Sequence, residues 1–334
     1  MILVLGGAGF VGSHVAKALR QKNLPHLVAD NLEKGHLEAI GKSPFEKTDI
    51  RNPAELDALF SRFSFESVML FAGYTSVPES VQFPDLYFSN NFIGAFNLLD
   101  SMRKHDVKRI IFSSSAAVYG EPRSIPIPED HPTNPTNPYG ETKLAVERLL
   151  HWESVAYGLK AISLRYFNAA GADPEGEIGE DHRPETHLIP LAIDAALGRC
   201  DALTIFGDDY DTPDGTCIRD YIHVSDLADA HLLALEKLSQ TENPCHKAIN
   251  LGSEHGFSVK DVVDTVERVS GRKVPYKIGP RRPGDPARLV ASSRLAKSFL
   301  GWKPRYDDLE TIVEHAFSWR SCHPNGYEKR LNSG

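Results

Sequence analysis

The run Ile2-Leu3-Val4-Leu5-Gly6-Gly7-Ala8-Gly9-Phe10-Val11-Gly12 constrains this chain more than any other feature. A short apolar strand passes directly into Gly-x-x-Gly-x-x-Gly and then into a helical pattern over Val11–Gln21. In such a turn Gly6 permits the sharp bend, Gly9 lets backbone approach a pyrophosphate, and Gly12 lets helix pack close to strand. Phe10 and Val11 open the helix, whose N-terminal amides face the phosphates. Spaced glycines alone would fit any tight turn. The second strand, His26–Ala29, adds the deciding residue. It leads into Asp30, 18 residues past Gly12, where a carboxylate takes the adenosine ribose hydroxyls and repels a 2′-phosphate. NAD is therefore expected rather than NADP. Asn31 follows at the same edge. Asp49-Ile50, after a further strand, reads either as a flank for adenine or as a capping loop.

Strands and amphipathic helices alternate through the first half. Pro53–Arg62 is a helix capped by Asn52, Val68–Ala72 a strand, and Pro84–His105 a long helical pattern. Lys108–Ser113 carries a strand, Tyr139–Tyr157 a helix and Ala161–Arg165 another strand. This alternation predicts an α/β fold, a Rossmann-type doubly wound parallel sheet covered on both faces. Past about Asn168 the segments shorten and Gly, Pro and Asp increase, as in Gly207–Gly215. Helical stretches at Leu188–Leu197, Val224–Leu238, Val259–Ser270 and Leu309–Phe317 read as a smaller mixed α/β substrate domain. The expected division is 1–170 for NAD and 171–334 for substrate, with the helix near 224–238 folding back onto the first domain.

Composition excludes several classes. The net charge of −8, with no basic cluster longer than Arg281-Arg282, argues against a nucleic-acid partner. No apolar run approaches the roughly 18 residues of a membrane span, and the start lacks a secretory leader. The four cysteines are scattered without CxxC spacing, which fits a cytoplasmic protein with no disulfide framework. The 14 histidines show no compact ligand spacing. His182 and His187 read as a solvated loop, so no metal is expected.

Three features stand at successive strand ends, where open α/β sheets bind ligands. They are Ser113-Ser114-Ser115, the pair Tyr139 and Lys143, and Arg165-Tyr166-Phe167-Asn168. Tyr139 and Lys143, four apart on a helix, share one face. A phenol is a poor base at neutral pH, but a neighbouring ammonium and a positive nicotinamide favour the phenolate. Lys143 can also bind the nicotinamide ribose, and Ser115 can share the proton of a substrate hydroxyl. Together these make a redox site.

The blocks GGAGFVGS, FSSSAAVYGEP, NPYGETK, LRYFNAAGA, IFGDDYDTPDGTCIRDYIHV and RRPGDPARLVASS run in order from Gly6 to Ser293. They resemble the extended short-chain dehydrogenase/reductase family, and within it the UDP-hexose 4-epimerases. The resemblance implies an isomerase of carbohydrate metabolism, a homodimer that interconverts UDP-galactose and UDP-glucose. Its steps are transient oxidation at sugar carbon 4, rotation of the 4-keto sugar and hydride return. The resemblance places NAD contacts at Phe71, Ala72, Gly73, Asn90 and Ser113, with Phe167 beside the nicotinamide. It places the UDP-hexose on Ser115 and Tyr139, with Asn168 and the helix beginning at Leu188 on the phosphates. Phe206 meets uracil, Arg219 and Arg282 meet the diphosphate, and Asp285 meets the uridine ribose.

Departures are informative. Thr75 stands where many members have a lysine that grips NAD, and His187 where many have asparagine. Leu289 occupies the position tied to N-acetyl-sugar acceptance, and neither a large nor a small residue stands there. A 4,6-dehydratase would need an acid pair after the serine strand, and Ser115-Ala116-Ala117 has none. A 4-epimerase for an N-acetylhexosamine, pentose or uronic acid stays open. A non-catalytic sensor would dispense with the Tyr139/Lys143 pair.

Overall fold

The computed structural model describes residues 1–282 and 285–327. Pro283 and Gly284 of the RRPGDP stretch, and the last seven residues of the expected second domain, lie outside the described residues. The first six strands are β1 (Ile2–Leu5), β2 (His26–Asp30), β3 (Phe45–Lys47), β4 (Ser67–Leu70), β5 (Arg109–Ser115) and β6 (Lys160–Tyr166). With Cys245–Leu251, which the sequence analysis did not assign, they form a seven-stranded parallel sheet. Its order is Cys245–Leu251, β6, β5, β4, β1, β2, β3. The chain thus reverses direction across the sheet between β1 and β4, the switch point where such sheets bind ligands.

β1 shows how the two-residue strand period builds two cores. Ile2 and Val4 join Val15, Ala16 and Leu19 of the helix Phe10–Gln21 (α1), together with Leu227, Ala230 and Ala234. Leu3 and Leu5 point the other way, into Leu56, Leu59, Leu98, Leu99, Val146 and Leu150. The helix Val224–Gln240, which supplies Leu227 to Ala234, therefore covers the sheet beside α1.

The remaining chain builds a third core. Ile189, Ile193, Leu203, Ile205, Val262, Val266, Ile312 and Val313 gather there. Three small sheets accompany it: Asn168–Ala170 with Tyr221–His223, Leu203–Phe206 with Tyr276–Gly279, and Ile218–Arg219 between Phe257–Ser258 and Arg288–Leu289. Pro84–His105 reads as one helix in sequence but is three segments, with π-helical Phe88–Ile93 between Pro84–Tyr87 and Gly94–Lys104. The wider turn buries Asn90 and Asn91. Among the described residues no helix is long and apolar enough to cross a membrane.

Candidate active site

The glycine turn sits at the switch point for a packing reason. A Cβ on Gly6, at φ +77°, would lie 2.2 Å from the Ala72 amide that follows β4. Only glycine lets these two strand ends touch. A Cβ on Gly12 would meet the Gly6 carbonyl at 2.4 Å. Gly9 differs, because its Cβ would find nothing nearer than the Gly6 oxygen at 3.5 Å. Protein packing leaves room there, at the N-cap of α1, for the pyrophosphate of a dinucleotide. The residues present thus fit NAD.

Asp30 is buried at the end of β2. Its Oδ2 accepts from the Ala8 amide at 3.0 Å and its Oδ1 from the Leu32 amide at 2.8 Å. Burial raises its pKa, against the pull of those amides. Asp30 thus anchors the glycine turn. Asp49 is clamped by Arg51, with Nε at 2.9 and 3.1 Å, and also accepts from Asn31 at 3.1 Å. The Arg51 bonds hold its carboxyl at about 2. Ile50 is buried against the position of Gly94.

Ser115, Tyr139 and Lys143 come together as expected in space, with one difference in detail. Ser115 caps the short turn Ala116–Tyr119, its Oγ accepting from the Ala117 amide at 3.1 Å, and its side chain lies beside that of Tyr139. Burial raises the Tyr139 pKa, and the neighbouring Ser115 hydroxyl only partly offsets this. Lys143 lies with Nζ 5.8 Å from the centre of the Tyr139 ring and donates to the Ser113 carbonyl at 2.9 Å. Burial lowers its pKa to about 8, opposed by Glu147. The ammonium therefore orients on backbone here and does not itself lower the phenol. Gly73 adjoins this amine, with its would-be Cβ at 3.4 Å from Nζ.

The π-helical turn completes the floor. Asn91 accepts from the Tyr74 amide at 2.8 Å and donates to Thr142 Oγ1 at 3.3 Å. Asn90 donates to Asn91 at 3.1 Å. Phe71 packs on the His231 ring, 4.8 Å between centres. Thr75 is exposed at the edge of this loop. Phe167 and Leu289 pack on a small apolar cluster of Val118, Tyr119, Ile127 and Leu144.

The second domain gathers the residues expected to meet a nucleotide diphosphate. The Arg282 guanidinium stacks over Phe206, 4.1 Å from the ring centre. Asp285 forms its ion pair with Arg219. Asn168 donates from Nδ2 to the Asp220 carbonyl at 2.9 Å. The helix Leu188–Ala196 begins at Leu188, with His187 as its N-cap residue.

Known proteins decide the family. The pattern of the NAD dependent epimerase/dehydratase family matches residues 2–252. The chain belongs to that family. Over 326 residues this epimerase/dehydratase is 54% identical to the UDP-glucose 4-epimerase of Halalkalibacterium halodurans, covering 98% of this chain and 97% of the relative. A UDP-glucose 4-epimerase structure from Brucella ovis in complex with NAD is 48% identical, with TM-score 0.91, over 95% of this chain and 97% of that one. That from Bifidobacterium longum in complex with NAD+ and UDP is 38% identical, with TM-score 0.93, over 98% and 99%.

Sequence reasoning missed several groups of this epimerase/dehydratase. The Tyr166 hydroxyl shares a hydrogen bond with Ser113, the residue whose carbonyl holds Lys143. On the helix Pro138–Tyr157, Glu147 accepts from Ser114 at 2.5 Å and from Arg165 Nε at 2.9 Å. Arg165 also donates to Tyr119 at 2.8 Å, and Tyr119 to Asn250 at 2.7 Å. The available signal was Arg165 itself, a charge inside the buried strand pattern Ala161–Arg165, which demands a partner. His182 and His187 lie on a loop as expected, His187 with 45% of its side chain exposed, but neither is without partners. The turn folds both onto Glu180 and His182 near Glu185. Burial opposes charge on His182, but its bonds to Glu180 and Glu185 lift its pKa to about 10.

Proposed function

We propose that this chain interconverts UDP-galactose and UDP-glucose, with NAD as a resident cofactor. The carrying observation is that Ser115, Tyr139 and Lys143 meet at the switch point, with Lys143 held on the Ser113 carbonyl. The names of the relatives and the two complexes support the same reading. The Gly6–Gly12 turn and the start of α1 would hold the pyrophosphate, Asp30 the adenosine ribose and Lys143 the nicotinamide ribose. When bound, NAD takes hydride from carbon 4 of the sugar and gives it back. Tyr139 removes the proton of the 4-hydroxyl and later restores it, and Ser115 steadies that oxygen. Arg219 and Arg282 grip the diphosphate, since guanidinium forks match phosphate oxygens. Phe206 flanks uracil, Asp285 takes the ribose, and Asn168 with the Leu188 helix takes phosphate. A firm hold on UDP and a loose one on the hexose let the ketose turn over between the two hydride transfers. The turn after β5 carries alanines at 116 and 117, so it lacks the acid pair that dehydration needs. The four free cysteines fit a reducing cytoplasm.

The test is direct. Purified protein given UDP-galactose should produce UDP-glucose without net consumption of added NAD. No interconversion, with or without NAD, overturns the reading. UDP-N-acetylglucosamine in the same assay decides what Leu289 permits.

The same reading includes a homodimer. Phe88, Ile93 and Phe96 leave apolar surface on one helical segment, and Trp152 and Val155 on the neighbouring helix are 64% and 66% exposed. Such a contiguous apolar face calls for a partner, and a second copy related by a two-fold axis buries it on itself. Trp152→Glu should convert a dimer to a monomer in sedimentation equilibrium. A wild-type protein that sediments as a monomer at micromolar concentration overturns the dimer.

A further inference from the structure

Outside the residues assigned to NAD and UDP, one cluster is built like a ligand site. Glu180, His182, Glu185 and His187 each turn one donor atom inward, and these atoms all lie within 4.8 Å of one another. His182 Nδ1 is 3.1 Å from Glu180 Oε1 and 3.7 Å from Glu185 Oε1, while His187 Nδ1 contacts Glu180 Oε1 directly. A tetrahedral ion with bonds of ~2.0–2.1 Å sets its donors about 3.3 Å apart. The cluster needs only small side-chain adjustments to reach that spacing.

A second observation points to a ligand. The Glu185 side chain is 8% exposed, and its Oε2 is buried with no hydrogen-bond partner among the described residues. The other oxygen accepts from the amides of Thr186 at 2.8 Å and His187 at 3.0 Å, which holds the carboxylate in place. Arg320 Nη1 stands 3.9 Å from Oε2, beyond hydrogen-bond reach, and donates to the Glu180 carbonyl at 3.4 Å, while the other two nitrogens hold Asp194. A buried carboxylate oxygen left so is costly unless a cation meets it. An entering ion must displace the proton that Glu180 and Glu185 hold on His182; with both imidazoles neutral the four side chains carry a charge of about −2, which a dication neutralises. Two imidazoles and two carboxylates suit zinc, whereas magnesium and calcium prefer all-oxygen sets. The other candidate group, Asp173, Glu175 and Glu177, is already occupied by the Lys17 ammonium and carries no such argument.

We propose that Glu180, His182, Glu185 and His187 form a closed four-ligand site for a divalent ion of the zinc class. All four positions are filled by protein, so the ion is structural. Its place gives it a purpose. His182 lies against Phe10 of the glycine turn, 6.4 Å between ring centres, and His187 caps the helix that begins at Leu188. The ion pins the crossing segment between the NAD turn and the phosphate-facing helix.

The probes are Zn²⁺ and Co²⁺ added to chelator-treated, tag-free protein. Calorimetry should give one ion per chain, and Co²⁺ should give the intense visible bands of a tetrahedral centre. His182→Ala and Glu185→Gln should each weaken binding by at least the roughly 10–100-fold that loss of even an outer partner costs. His105→Ala, on a remote surface, should bind like wild type. Circular dichroism checks that the variants fold; if they do not, the Co²⁺ spectrum of the wild type decides alone. Absence of tetrahedral Co²⁺ bands, or full affinity in folded variants, overturns the site and leaves the cluster an ion-pair network.

Discussion

Replacing Tyr139 with phenylalanine should lower kcat by roughly 10²–10⁴-fold, the usual worth of a positioned acid–base group. UDP affinity should stay unchanged. The reason lies in where the hydroxyl sits. It lies beside the Ser115 side chain, and the ring edges onto Tyr87 at 6.4 Å between centres. Phenylalanine keeps that ring contact and deletes only the hydroxyl proposed to move the proton. Steady-state kinetics with UDP-galactose and calorimetric titration with UDP separate the two effects. A parallel loss of UDP binding would assign Tyr139 to the architecture of the site and leave the base unidentified. Burial raises the phenol's pKa in the free protein, so the group must gain a nearby positive charge before it can act as a base. Lys143 does not supply it in this arrangement, because its amine is directed to the Ser113 carbonyl.

Glu147→Ala should be the most destabilising single change near the site, by about 3–5 kcal/mol. Glu147 and Arg165 are both buried and pair through two hydrogen bonds, at 2.9 and 2.5 Å. Removing the carboxylate strands the guanidinium inside the protein, where Tyr119 and the Glu129 carbonyl cannot neutralise it. Ser114 also loses its acceptor. Urea unfolding of the variant and of Glu147→Gln measures the effect. Glutamine preserves shape and an acceptor, so it should cost less than alanine. Equal stability of all three proteins would show that the pair adds nothing to the fold. The network also joins β5, β6, the catalytic helix and Asn250 on Cys245–Leu251. Its loss should loosen the strand end that carries Ser113 and Ser115, and so lower kcat as well.

Local readings succeeded where one short stretch contains its own physical cause. The turn Gly6–Gly12 after β1, the helix Pro53–Arg62 with its Asn52 cap, and Val259–Ser270 with its Ser258–Asp261 capping box depend on neighbours in sequence. The spacing of Tyr139 and Lys143 put both on one helical face for the same reason. Pairings between distant segments were not legible. Asp285 pairs with Arg219, 66 residues away in the chain. The π-helical turn at Phe88–Ile93 left no mark in an apolar pattern that suits an ordinary helix, since its cause is the burial of Asn91 against Tyr74 and Thr142. His182 and His187 looked solvated because hydropathy does not report what a turn brings beside them.

The sequence by itself determined that a dinucleotide turn follows the first strand, that Asp30 closes it, and that a tyrosine and lysine share a helix face nearby. Each is a statement about residues within one strand, turn or helix. Only the tertiary structure decided that Gly6 must lack a side chain to let the ends of β1 and β4 meet. It alone decided that Lys143 faces a carbonyl, that Arg165 is neutralised by Glu147 of the helix Pro138–Tyr157, and that Glu180, His182, Glu185 and His187 bring donor atoms within 4.8 Å of one another. Those outcomes depend on close packing between segments far apart in the chain, and burial then determines which charges must find partners.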